Sequence, residues 1–414
     1  MINRIILIGN GFDLAHGIPT SYWDFMHNYW MKSFTDYYNL RGELYKCEEF
    51  ETIKEIPKSY FKDHKEFIAY LTTYTDSHKK LNNFFFKLSK HLLKWDWVDV
   101  ETAYYNELLF CKPPIRTRQQ DIVKLNKDFE KVKDLLEKYL TKVVDETIIN
   151  RQIITAVKSI IREDLFLNDL SENGLSQITD EIYGRIKPFI GPEPDKNIDP
   201  YYLTKFEKEI LKDHINFEFD KKYLFKYLRN KSITNDIYMP INFLTFNYTN
   251  IEDNYLDEEN DDSVIHIHGQ LNSENNPIIF GYGDELDDSY KEIEKLNNNH
   301  FLDNVKSINY ANTNNYKRLL ELVNSGLFQV YVLGHSCGNS DRTLLNTIFE
   351  HDNCVSIKPF FYQETEVKDD YLKIYKNISR NFNDKAKLRD RVVNKQLCRP
   401  MISLDIQKAV KEKK

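Results

Sequence analysis

The sequence predicts an α/β protein whose mostly parallel sheet carries helices on both faces and is interrupted, after its first strand, by a large helical insertion. Three observations predict it. A short apolar run at 4–8 passes directly into a glycine loop. From about 21 to 235, apolar residues recur at three- and four-residue steps among Lys and Glu, the spacing of amphipathic helices. After Pro240, apolar runs bounded by turn residues return, separated by helical patterns. Strands that alternate with helices close into a parallel sheet through right-handed crossovers.

The first element, Arg4-Ile5-Ile6-Leu7-Ile8, reads as a strand buried on both faces. The helical patterns are clearest over 62–94, 119–149 and 203–229. Trp95, Trp97, Asp99 and Glu101 precede a helix, and their plain reading is packing for the rings and first-turn capping for the acids. The later strands are predicted at 241–246, 263–268, 277–280, 328–333 and 354–362. The expected division is a Rossmann-like nucleotide-binding domain from 1–30 and 236–414, with the helical insertion at 31–235. The acidic run 257–262 lacks the spacing of a calcium loop and reads as a solvated turn. The basic stretch 385–391 reads as a solvated helix face.

Composition narrows the function. A formal charge of −7 gives no overall basic field, so nucleic acid is not the expected partner. The five cysteines are scattered and form no C-x-x-C knuckle, which predicts a reduced, metal-free, cytoplasmic protein. No stretch approaches the roughly 18 uncharged apolar residues that cross a bilayer, and no membrane partner is expected.

Four constellations carry chemistry. Gly9-Asn10-Gly11-Phe12-Asp13 opens a helix directly after the first strand, and Gly17, Pro19, Asp24 and Phe25 follow closely. Glycines there let the backbone approach a pyrophosphate that the helix N-terminus attracts. The third glycine of G-x-G-x-x-G is absent, since Leu14 stands in its place, so a tight turn is the plain alternative. Thr245-Phe246-Asn247 lies at the carboxyl end of a strand, where ligands of open α/β sheets bind; Asn247 is placed to hold a substrate or a water, or else to cap a helix.

In His266-Ile267-His268-Gly269, strand alternation places both histidines on one face. No carboxylate or cysteine cluster accompanies them, so His268 reads as a general base and His266 as a core residue, with a metal site disfavoured. Gly334-His335-Ser336-Cys337-Gly338 matches the G-x-S-x-G nucleophile elbow. His351 is the one histidine after Ser336, with Asp341 as the intervening acid, and such closely spaced partners suit a triad poorly. A loop that holds ribose or phosphate fits equally well.

Taken in order, GNGFDLAHGIPTSYWDF, FLTFNYTN, HIHG, FGYGD and LGHSCGNSD resemble the AbiH family of bacterial abortive-infection proteins, from residue 4 to beyond 340. NISRNFNDKAKLRDRVVN near the C-terminus is similar to that family too. AbiH proteins in turn look distantly similar to sirtuins and sirtuin-like NADases. Gly9-Asn10-Gly11 resembles the sirtuin GAG loop, and Gly17-Ile18-Pro19 with Asp24-Phe25 the GIPDF segment, split by four residues. Thr245 and Asn247 keep two residues of TQNxD, His268-Gly269 matches the catalytic HG, and Gly334-His335-Ser336 matches the late G-[ST]-S loop.

The resemblance implies a sirtuin-like fold and a phage-defence effector that hydrolyses NAD to nicotinamide and ADP-ribose. Asn247 and His268 would be catalytic. Gly9, Asn10, Gly11, Phe12, Asp13, Gly17, Pro19, Asp24, Phe25, Thr245, Gly269, Gly334, His335, Ser336 and Asp341 would bind the nucleotide, without a metal. The alternatives are a non-catalytic nucleotide sensor and, more weakly, a serine esterase acting through Ser336. A phage-derived trigger and self-association are partners left open.

Overall fold

The computed structural model describes residues 2–39, 61–73, 82–94, 99–112, 119–190, 200–214, 220–229, 231–233 and 239–411. Cys47, Trp95 and Trp97 lie outside the described residues. The strands are β1 (Ile2–Ile8), β2 (Leu165–Phe166), β3 (Ser232–Ile233), β4 (Ile241–Thr245), β5 (Ser263–His266), β6 (Leu327–Leu333) and β7 (Cys354–Phe360). Five of them form one sheet in the order β5-β4-β1-β6-β7, while β2 and β3 pair separately as a short antiparallel ribbon. Every pairing in the large sheet is parallel. This is a mixed α/β architecture, as the alternation of strand and helix patterns predicts.

The register explains why β1 is almost wholly apolar. Ile6 stands between Phe243 and Tyr331, and Ile8 between Thr245 and Leu333. Ile6, Ile8, Phe243, Tyr331 and Leu333 point to one face, where Trp30, Phe67, Phe85, Phe129 and Val157 from the helices between β1 and β4 complete a core. Ile5, Leu7, Leu244, Val330 and Val332 point to the other, against Leu319, Val323, Leu345, Ile348 and Ile378. A central parallel strand has no wet face, so both of its residue sets must be apolar.

Arg4 is the one charged residue on β1, and it is fully buried with its guanidinium hydrogen-bonded. Its Nε and Nη2 donate to Gln329 Oε1 at 3.0 and 2.9 Å, and its Nη1 donates to the carbonyls of Ile161 and Glu163 at 2.8 and 2.7 Å. The guanidinium also lies over the Tyr331 ring, 4.4 Å from its centroid. These bonds tie the helix Arg151–Ile161 to the underside of the sheet.

The structure corrects several expectations. Residues 277–280 form no strand: Pro277 has no N–H to give, and the segment instead wraps over Gly269, with Ile279 N–H donating to His268 O at 2.8 Å. β5 ends at His266, so strand alternation does not extend to His268. The basic stretch at Lys385–Arg391 is a helix, but Arg391 is buried and donates to the carbonyls of Phe349 and His351, both at 2.7 Å. In the acidic run, Asp262 is inward and paired with Arg162. No described helix is long and apolar enough to cross a membrane.

Candidate functional site

The carboxyl ends of β1 and β6 meet through glycines. Gly11 N–H donates to Gly334 O at 2.8 Å. A Cβ on Gly334, whose φ is +72°, would lie 2.0 Å from the Phe12 nitrogen, and one on Gly9 would lie 2.5 Å from the His335 Cα. Backbones approach this closely only because Gly9 and Gly334 carry no Cβ at the contact. The short helix Asn10–Ala15 starts here and ends at Gly17, φ +87°. Gly17 N–H donates to Leu14 O and Ile18 N–H to Asp13 O, the paired bonds of a Schellman cap.

The end of β4 is fastened to that loop. Asn247 Nδ2 donates to Gly9 O at 3.0 Å and to Asp13 Oδ1 at 2.7 Å, and Thr249 Oγ1 donates to Asp13 Oδ2 at 2.9 Å. Thr245 Oγ1 accepts from Asn247 N–H at 3.1 Å. Asp13 is buried, and burial pushes its carboxyl up to about 7 against the two donors. Beneath it, His16 bridges Phe12 O and the Tyr255 hydroxyl, and burial pushes its pKa down to about 4.

A second cluster gathers around Asp341, which stands at the N-cap of the helix Arg342–Phe349. Its Oδ1 lies 2.9 Å from Lys306 Nζ and 3.4 Å from His268 Nε2, and its Oδ2 lies 3.5 Å from His335 Nε2. Lys306 also donates to Glu101 Oε2 at 2.8 Å. His335 Nδ1 accepts from Cys337 N–H at 3.0 Å, which leaves Nε2 as the protonated nitrogen facing Asp341. Cys337 has a φ of +52°, a left-handed turn at a side-chain-bearing residue that aims His335 inward while Ser336 is exposed.

Burial works against the Asp341 anion, but the Lys306 ammonium, with the His335 and His268 rings, holds it well below the usual carboxylate range. Burial pulls the Lys306 pKa down, but Asp341 and Glu101 outweigh it and hold it above the ordinary lysine value. Glu101 is pushed up to about 7 by burial, with Asp341 adding to the effect and Lys306 opposing it. His268 is pushed down to about 3, by burial first and by Lys306 second, with Asp341 opposing. The Tyr310 hydroxyl lies 3.2 Å from its Nε2, and the ring also hydrogen-bonds the Phe246 backbone. At neutral pH, His268 is an uncharged imidazole.

The structure therefore brings Gly9, Gly11, Asp13, Thr245, Asn247, Gly334 and His335 together at one end of the sheet, with His268 and Asp341 joined through His335. Others have local duties. Phe12 and Phe25 are core residues. Gly17 caps a helix. Pro19 O accepts from Tyr139 OH at 2.7 Å. Asn10 Oδ1 accepts from Thr20 Oγ1 at 2.5 Å. Ser21 and Asp24 bond reciprocally as a capping box of the helix Tyr22–Asn39. Gly269, φ +83°, makes room for Pro277 O, which would lie 2.1 Å from a Cβ.

His266 and His268 diverge: His266 Nε2 lies 2.8 Å from the buried Glu252. No group of three or more potential metal ligands occurs among the described residues. Ser336 follows the carboxyl end of β6, whereas His351 precedes the neighbouring parallel strand β7 and so lies at the opposite end of the sheet, where its Nδ1 accepts from Asn353 N–H. Asp341 and His351 are thus not assembled around Ser336.

Lys306 and Tyr310 escaped the sequence reading, which took Glu101 only as a first-turn acid. Asp99 does cap its helix, accepting from Thr102 N–H at 2.9 Å, but Glu101 turns inward to Lys306. The one local signal was the FGYGD motif. Lys306 N–H donates to Tyr282 O, and a Cβ on Gly283 would lie 3.0 Å from Lys306 Cβ.

The model of a protein family described as bacteriophage abortive infection AbiH matches residues 5–363. No curated protein and no solved structure matches the chain.

Proposed function

Because the chain belongs to the AbiH bacteriophage abortive-infection family, whose role is phage defence, we propose that it acts there as an effector that binds NAD and hydrolyses it to nicotinamide and ADP-ribose. The observation that carries this reading is an uncharged, buried His268 beside the point where the strand order reverses. Counted within the large sheet alone, the strands run 3-2-1-4-5, the order of doubly wound Rossmann-like dinucleotide folds, whose ligands lie outside the carboxyl ends of the strands at that reversal. The glycine loops after β1 and β6 meet there, and the N-terminus of the helix Asn10–Ala15 opens from the first.

In this reading the glycosidic C–N bond breaks with its electrons leaving on nicotinamide, which departs neutral and needs no general acid. The oxocarbenium-like ribosyl centre then takes a water oxygen. His268 accepts the proton released, from water or from a ribose hydroxyl. Asn247 spends its amide nitrogen on Gly9 and Asp13, so its carbonyl oxygen is the end that orients the water. Glu101 and Asp341 against one ammonium give the cluster a negative balance when both are ionised, suited to a cationic transition state.

That same tethering of Asn247 favours a second reading, a nucleotide sensor in which the residue holds loops rather than water. Nicotinamide release from NAD by the purified protein, alone and with infected-cell extract, tests both. Loss in His268→Ala and Asn247→Ala with retention in Ser336→Ala is the expected result. Tight NAD binding without turnover in either condition would leave the sensor.

A further inference from the structure

We propose that Lys306 and Glu101 are positioning residues for His268, a buried pair that fixes its orientation through Asp341. The inference rests on the reading of His268 as the base, but its central measurement does not require turnover.

The contacts form one line: Glu101 Oε2 to Lys306 Nζ at 2.8 Å, Nζ to Asp341 Oδ1 at 2.9 Å, and the same oxygen to His268 Nε2 at 3.4 Å. All four residues are more than nine-tenths buried, so water screens none of these charges. The lysine stem is built in. Its backbone is pinned to Tyr282, and Gly283 leaves the space its Cβ occupies.

Each charge has a definable effect. Lys306, Asp341 and His335 are the charged or titratable groups whose fields act on His268, with the Tyr310 hydroxyl on its Nε2. Asp341 alone would draw a proton onto the ring, as carboxylates do for histidine. Lys306 on the same oxygen counters that pull. Both carboxylates favour the Lys306 ammonium at this depth, Asp341 first and Glu101 second. Around Glu101 stand Lys306, Asp341 and Asp99; Tyr22, Tyr248 and Tyr310 face it with phenols kept protonated by burial and by these acids. Glu101 comes from the helix Val100–Phe110, between β1 and β4 in the chain, so the helical segment supplies part of the site.

The test is a histidine-ring NMR titration of the full chain from roughly pH 4 to 8, with the His268 signal assigned by its loss in His268→Gln. The wild type keeps this ring neutral across the window. Lys306→Met brings its titration into the window, Lys306→Arg restores neutrality, and Glu101→Gln leaves the ring neutral. In nicotinamide release, Lys306→Met moves the acid limb up by about one pH unit or more, and the lost orientation of the ring lowers kcat about tenfold or more near pH 7 with little change in KM. Glu101→Gln lowers kcat about fivefold or more on the same footing. A folded Lys306→Met whose His268 signal matches the wild type overturns the inference. If Lys306→Met does not fold, an unchanged kcat in Glu101→Gln overturns it. Absence of NAD cleavage in the wild type rejects the proposed reaction, while the ring titration still decides the role of the pair.

Discussion

Gly334→Ala probes the contact on which the whole site depends. The new methyl would sit 2.0 Å from the Phe12 nitrogen and 2.5 Å from the Gly11 carbonyl carbon, both backbone atoms. Ordinary contact needs about 3.5 Å, so the loops after β1 and β6 must part by more than 1 Å or so. Three costs follow. Holding alanine at the left-handed φ costs about 1 kcal/mol. Losing the Gly11 to Gly334 hydrogen bond, with its groups still buried, costs about 1–3 kcal/mol. The loosened packing adds about 1 kcal/mol. The expected loss is about 3–5 kcal/mol, among the larger single-substitution effects. For 414 residues, an unfolding entropy of about 0.9 kcal/mol/K converts this to a fall of about 3–6 °C in Tm.

Gly184→Ala is the matched control. Gly184 lies in the helix Glu172–Ile186, with nothing within 4 Å of its would-be Cβ. Alanine there should stabilise by about 0.5–1 kcal/mol through helix propensity alone. Calorimetry on both variants and NAD binding on the first provide the assay. A Gly334→Ala protein with unchanged Tm and NAD affinity would refute the argument that glycine-to-glycine backbone contact builds the site.

Other perturbations separate support from chemistry. Asn247→Ala takes the amide donor from Asp13 Oδ1 and one of two donors from Gly9 O, which keeps Phe12 N–H, and urea denaturation should show a loss of about 1–3 kcal/mol. His268→Ala should cost nicotinamide release a factor of about 10²–10⁴. Arg4→Met strands Gln329 Oε1 and the carbonyls of Ile161 and Glu163; the expected cost is about 3–5 kcal/mol by the same denaturation, and a neutral result would mean that the network is not closed in solution.

The fourth perturbation concerns pH. Asp13, raised from 3.8 to about 7, keeps in the native state a proton the unfolded chain has released, so its contribution is full below pH 3.8 and is lost as pH rises toward 7. His16, lowered from 6.5 to about 4, works in the opposite direction, its contribution being lost as pH falls through the same interval. The two nearly cancel between about pH 4.5 and 6.5. Asp13→Asn removes one side, and the stability of that variant should rise with pH by about 1.4 kcal/mol per pH unit more than wild type there. Equal slopes for the two proteins would contradict the buried carboxyl assigned to Asp13.

The outline was legible wherever one residue's role depends on near neighbours. The run at 4–8 had to be a central strand because both of its residue sets are apolar, and β4, β6 and β7 followed the same rule. Gly9, Gly11 and Gly334 were conspicuous because glycine marks close approach or left-handed backbone, although Gly17 and Gly269 show that the same signal also marks a helix cap and a crossing peptide. Residues 277–280 misled because a short apolar run reads alike whether it joins a ladder or merely crosses a turn.

By itself, then, the sequence determined the parallel α/β layout, the family and the loops at the strand ends, since periodicity, turn chemistry and ordered motifs are local properties. Only the tertiary structure decided that Lys306 bridges Glu101 and Asp341 beside His268. Glu101 and Lys306 are 205 residues apart, and each alone reads as an ordinary helix-surface charge. Their pairing is set by burial, which leaves charges without water and makes them answer one another.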